Sequence, residues 1–140
     1  MNRWWIYSLL SAFFAALTAI LAKIGIRGID SDLATAFRTI IILLIAWSIV
    51  LFKGIKGDDI WQLSRNNLLF LTLSGAATGL SWIFYFKALQ TGKVSQVAPV
   101  DKLSVAIALL LSVIILKETL TLKAAVGAIL IIAGTIIMIL

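Results

Sequence analysis

Five stretches of the chain, residues 4–22, 33–52, 68–89, 95–116 and 122–140, are apolar almost without interruption, and short polar connectors separate them. A helix rises about 1.5 Å per residue, so about 20 residues cross the roughly 30 Å hydrocarbon layer of a bilayer. The pattern predicts an all-α integral membrane protein of five transmembrane helices, with residues 1–140 as a single domain. The longest connector, residues 53–67, is too short and too polar to build a core of its own. Composition agrees, with 62% hydrophobic residues, a mean hydropathy of +1.13 and one proline. Arg3 ahead of an apolar run could mark a signal peptide. The run lasts to Ala22 without a clear small-x-small cleavage site, so it is expected to remain as a span.

Within the spans, small residues recur at helical spacing. Ser8, Ser11, Ala12, Ala15, Ala19 and Ala22 share one narrow face of the first span, suited either to close helix approach or to a cavity lining. Gly75 and Gly79 form a GxxxG in the third span, and Gly127 and Gly134 mark a similar ridge in the fifth; all four are candidates for helix packing or a dimer interface. Thr78, Trp82 and Tyr85 continue the Gly75 face. They form either one wall of a pocket with an indole and a phenol at its tips, or part of an interfacial aromatic belt.

Charge inside spans changes the picture most. Arg38 lies a little over one turn inside the second span, where it is either an anchor snorkelling to the headgroups or a functional group. An arginine at the bilayer centre costs at least about 2.5–3.5 kcal/mol. Asp101 and Lys102 follow Pro99 in the fourth span. Consecutive helical residues point about 100° apart, so the two are not expected to neutralise each other, and Arg38 is a candidate partner for Asp101. Asp101 also opens a polar and small stripe through Ser104, Ala108 and Ser112. Asp32 is expected to cap the second span, Thr121 the fifth, and Lys23 to suit the dipole at the end of the first.

Spans two and four begin where spans one and three end. Lys23, Arg38, Trp82, Tyr85, Lys87, Asp101 and Lys102 are therefore expected in one half of the bilayer, as a one-sided polar vestibule of helices 2, 3 and 4. Substrate-binding candidates are Trp82, Tyr85, Asp101, Lys102 and Arg38. The chain has neither Cys nor His, which removes thiol chemistry and the usual zinc sites; no metal, cofactor or catalytic residue is expected, and an enzyme is not. The net charge of +6 is spread over the connectors, which fits membrane flanks and not nucleic acid. Arg3, Lys53, Lys56, Arg65, Lys117 and Lys123 lie on one side, against Lys23, Arg27, Lys87 and Lys93 on the other. This weak bias favours a cytoplasmic N-terminus and leaves insertion in both orientations open.

The combination Trp82-x-x-Tyr85, Lys87-Ala88-Leu89, Gly92, Ser95, Pro99-Val-Asp-Lys-Leu-Ser104, Leu116-Lys-Glu118-Thr-Leu, Gly127 and Gly134 resembles an EamA-type repeat of the drug/metabolite transporter superfamily. The resemblance covers essentially the whole chain, and its second half is the more specific part. Many members of that family fuse two five-helix repeats with inverted topology, so this chain resembles a single unfused repeat, one half of a ten-helix inverted-repeat transporter. The resemblance implies transport of small metabolites or drugs by alternating access, as a homodimer or as a heterodimer with an oppositely oriented repeat, in a prokaryotic plasma membrane. Small multidrug pumps of the superfamily couple to protons through a glutamate in the first helix. The first span here has no acidic residue, so that form of proton antiport is not expected. The competing function is a membrane adaptor whose small-residue seams bind another membrane protein, with the charges serving as topological anchors.

Overall fold

The computed structural model describes residues 3–55 and 62–140. Its helices are α1 Trp4–Gly25, α2 Ser31–Phe52, α3 Arg65–Thr91, α4 Val94–Asp101, α5 Leu103–Ile115 and α6 Leu122–Ile139. Five segments are long and apolar enough to span a membrane, α4 and α5 together supplying the fourth, Val94–Ile115. The chain divides into two compact units, one holding Thr91–Leu140 with the first segment up to Lys23, the other Ile24–Gln90.

Local chemistry sets the helix starts. Asp30 is extended, and its Oδ1 accepts hydrogen bonds from the N–H groups of Asp32 (2.9 Å) and Leu33 (3.1 Å). The cap of α2 is therefore Asp30 and not Asp32, because a carboxylate two or three residues ahead of the unpaired N–H groups is the one that reaches them. Asp32 is freed for another partner. Ser64 Oγ accepts from the Asn67 N–H at 3.1 Å ahead of α3, and Thr121 Oγ1 accepts from the Ala124 N–H at 3.2 Å, which makes Thr121 the expected cap of the last span.

The helix ends use left-handed residues. Gly54 (φ 69°) follows α2, with the Gly54 N–H bonded to the Leu51 carbonyl and the Ile55 N–H to the Val50 carbonyl, the two reverse bonds of a Schellman closure. After α5 the same conformation falls on Lys117 (φ 56°), where a Cβ opposes it, and the Glu118 N–H donates back to the Ser112 carbonyl at 3.2 Å.

In the unit containing α4–α6, the close helix packing is α4 and α5 against α6. Lys23 Nζ donates to the Gly92 carbonyl at 2.8 Å, so this lysine is held by a specific backbone acceptor beyond the dipole role expected of it. Of the small face of α1, only Ala19 and Ala22 are buried, while Ser8, Ser11, Ala12 and Ala15 are exposed. In the other unit, Asp32, Ile29 and Arg38 meet Lys87, Gln90 and Phe86, so the start of α2 joins the end of α3. No span buries more than 11% of its apolar window. Such surfaces are stable only against lipid or another membrane chain.

A Cβ at Gly54 meets no atom within 4 Å, so Gly54→Ala tests backbone conformation alone. Unfolding in nanodiscs is expected to show Gly54→Ala destabilised, and Lys117→Gly stabilised, by about 1 kcal/mol each. Shifts of the opposite sign would refute the left-handed assignment.

Candidate functional site

Seven hydroxyls in the spans are satisfied by their own helix. Ser8, Thr35, Thr39, Ser48, Thr78 and Thr135 each donate to the carbonyl four residues earlier, and Ser112 donates three residues back. A back-bonded hydroxyl carries its polarity within one turn and offers no donor sideways. Thr78 and Ser112, expected on polar faces, are therefore poor ligands for a solute.

The first polar cluster lies where α2 begins and α3 ends. Lys87 Nζ and Asp32 Oδ2 form an ion pair at 3.1 Å with both side chains about half exposed, 51% and 54%. Gln90 Nε2 donates to the Ile29 carbonyl at 2.9 Å, closing the turn between the helices. Deeper in, the guanidinium carbon of Arg38 sits 4.1 Å from the centroid of the Phe86 ring, which is 3% exposed. Arg38 is thus docked on an aromatic face, an interaction worth about 0.5–2 kcal/mol where water is excluded. Its Nη1 is buried with no hydrogen-bond partner. Tyr85 meets Phe86 edge to face, ring centroids 5.5 Å apart, and Trp82, half-buried, lies one turn before Phe86 on the same side of α3.

The second cluster surrounds the break in the fourth span. Pro99 has no N–H to give the Ser95 carbonyl, and the next turn tightens: the Lys102 N–H bonds to the Pro99 carbonyl and the Val105 N–H to the Lys102 carbonyl, both at 3.0 Å. Thr135 Oγ1, 4% exposed in α6, reaches the same Pro99 carbonyl at 3.2 Å. The break also corrects the expectation for Asp101 and Lys102, since Lys102 Nζ pairs with Asp101 Oδ2 at 3.1 Å. The 100° separation belongs to a regular helix. Lys102 stands at the junction of α4 and α5, and its four-carbon stem swings the ammonium back to its neighbour. An open cleft of about 420 Å³ borders this point, apolar except for Lys102 and Thr135, with Leu130, Gly134 and Met138 on its α6 side.

Of the expected site residues, Arg38, Trp82 and Tyr85 fall in the unit of α2 and α3, and Asp101 and Lys102 in the unit of α4–α6. Arg38 pairs with no carboxylate among the described residues. A Cβ at Gly75, Gly79, Gly127 or Gly134 would meet no atom of the described residues of its own unit within 4 Å. Sequence reading missed Phe86, the Asp32–Lys87 pair and the Thr135 bond. Phe86 had a signal, its four-residue spacing from Trp82; the other two depend on which helices meet, which spacing alone does not give.

Residues 2–140 match the EamA-like transporter family, and the chain belongs to that family. It is 43% identical over 137 residues to a Sinorhizobium protein named as an uncharacterized transporter in the cobO 3' region, covering 98% of this chain and 96% of that one. It is 29% identical to an uncharacterized protein of Methanocaldococcus jannaschii, covering 95% and 93%. No solved structure matches the chain significantly. With five spanning helices, this is a multi-pass integral membrane protein of a transporter family, and that family points to transport and not to catalysis.

Thr135→Val keeps the shape and removes the hydroxyl from the Pro99 carbonyl. It is expected to cost about 1 kcal/mol of stability, read by thermal unfolding in nanodiscs. An unchanged midpoint would mean that the α4–α6 hydrogen bond contributes nothing.

Proposed function

We propose that the protein moves a small solute across the membrane by alternating access, as a dimer of five-span chains, preferably antiparallel. The observation that carries this reading is the match of nearly the whole chain to the EamA-like transporter family in a chain with five spans. Because five is odd, a second copy inserted the other way would supply the oppositely facing half that inverted-repeat transporters obtain by duplication. The near balance of basic residues across the two sides supports insertion in both orientations. Two relatives are matched over 96% and 93% of their own lengths, so chains of about this length recur among them. The prokaryotic plasma membrane is the setting that fits.

Solute contact is assigned to Arg38, Trp82 and Tyr85 in one unit and to Asp101 and Lys102 in the other, the residues that place charge or aromatic surface within otherwise apolar spans. Gly75, Gly79, Gly127 and Gly134, with open space beside them, are assigned to contacts with the second copy. That open space also supports the adaptor reading, in which the same ridges bind a different membrane protein.

Proteoliposome uptake over a broad panel of small metabolites separates the two. Transport predicts flux of at least one solute, reduced tenfold or more by Trp82→Ala and by Asp101→Asn. Absence of flux across the panel, together with a stable hetero-complex that Gly127→Leu or Gly134→Leu breaks, would establish the adaptor instead.

A further inference from the structure

Where the start of α2 meets the end of α3, both described aspartates have partners and one guanidinium nitrogen does not. Asp30 is committed to the α2 N-terminus, where its Oδ1 accepts two N–H groups. Asp32 is committed to Lys87. That leaves the Arg38 guanidinium with an aromatic face beneath it and, among the described residues, a buried Nη1 without an acceptor and no carboxylate paired with it. A lysine or arginine that merely anchors a span extends toward the headgroups with its charged end solvated. Arg38 instead lies on Phe86, itself 3% exposed, with its Nη1 enclosed.

With its carbon 4.1 Å from the ring centroid, the guanidinium has one side closed by Phe86. An acceptor is best received away from the ring, where N–H groups project in a fork. A carboxylate matches that fork with its two oxygens, and an ammonium or a neutral amide does not. One guanidinium at this point is matched by one negative charge, because a dianion would bring an uncompensated charge into a poorly hydrated region. Trp82 and Tyr85, on the Phe86 end of α3, give the remainder of such a molecule an amphipathic surface to lie along.

We infer that Arg38, oriented by Phe86, is the receptor for the carboxylate of a monoanionic organic solute. The inference rests on the transport reading for its biological sense, but the binding site can be tested without flux. Protein in phosphatidylcholine nanodiscs is heated with acetate, pyruvate, benzoate or indole-3-acetate, each beside its neutral amide, and the melting midpoint is followed. At least one acid is expected to raise the midpoint by several degrees at millimolar concentration, with no effect of its amide. Arg38→Gln is expected to abolish the shift. Arg38→Lys, which keeps the charge and loses the fork, is expected to weaken the acid at least tenfold in a titration; its monodisperse elution provides the folding check.

The inference is overturned if acid and amide act alike, if no acid in the panel acts, or if the shift survives in Arg38→Gln. A lipid phosphate at the same fork would also overturn it. In that case phosphatidylglycerol in the nanodisc, with no acid added, stabilises the wild type but not Arg38→Gln, and it blocks the response to every acid. The two readings fail separately. Arg38-dependent acid binding without flux of any solute would remove transport and keep the receptor, whereas flux of a solute with no Arg38-dependent shift by any acid would keep transport and remove the receptor.

Discussion

In hydrocarbon no water is at hand to satisfy a polar group, so each one must find its partner within the chain, in a ligand or in a second chain. That constraint accounts for nearly every polar contact described here. Hydroxyls turn back on their own helices, Asp30, Ser64 and Thr121 cap helix starts, Lys23 takes the Gly92 carbonyl, and the carbonyl of Pro99 receives Thr135. Against that background of satisfied groups, a buried guanidinium nitrogen without an acceptor stands apart. A polar residue whose bonds are all made locally has little left to offer a solute, whereas a nitrogen without an acceptor has a hydrogen bond to give.

The apolar surface is subject to the same constraint in the opposite sense. Each span leaves most of its side chains uncovered by the chain, and the glycines that would permit close helix approach have no neighbour there. Lipid can cover leucine and isoleucine at no cost, but it gains little from a glycine ridge, whereas a second helix gains van der Waals contact along it. The proposed pairing with a second copy would give this uncovered surface a meaning, as contact area between two five-span chains.

Hydropathy made the five spans legible from sequence to within about three residues at each end, because hydrocarbon thickness leaves little freedom in span length. The caps were only partly legible. Thr121 stands alone before its helix, but Asp30 and Asp32 flank one start, and only the backbone conformation distinguishes which carboxylate reaches the N–H groups. Pro99 signalled a break in the fourth span, yet its consequence, an ion pair between the adjacent residues Asp101 and Lys102, lay outside regular helix geometry. At the candidate site, Arg38 was conspicuous as a charge in an apolar run. Its seat on Phe86 was not, because that contact requires the start of α2 to meet the end of α3.

Orientation in the membrane is the point on which the dimer account depends, and the cysteine-free sequence makes it directly measurable. Asn2→Cys and Asn66→Cys, made singly and expressed in native membranes, can be labelled with a membrane-impermeant maleimide from either face. The account predicts that both positions label from both faces, in comparable fractions, as two oppositely inserted populations require. Labelling of both positions from one face only would contradict assembly of an antiparallel transporter from this chain alone.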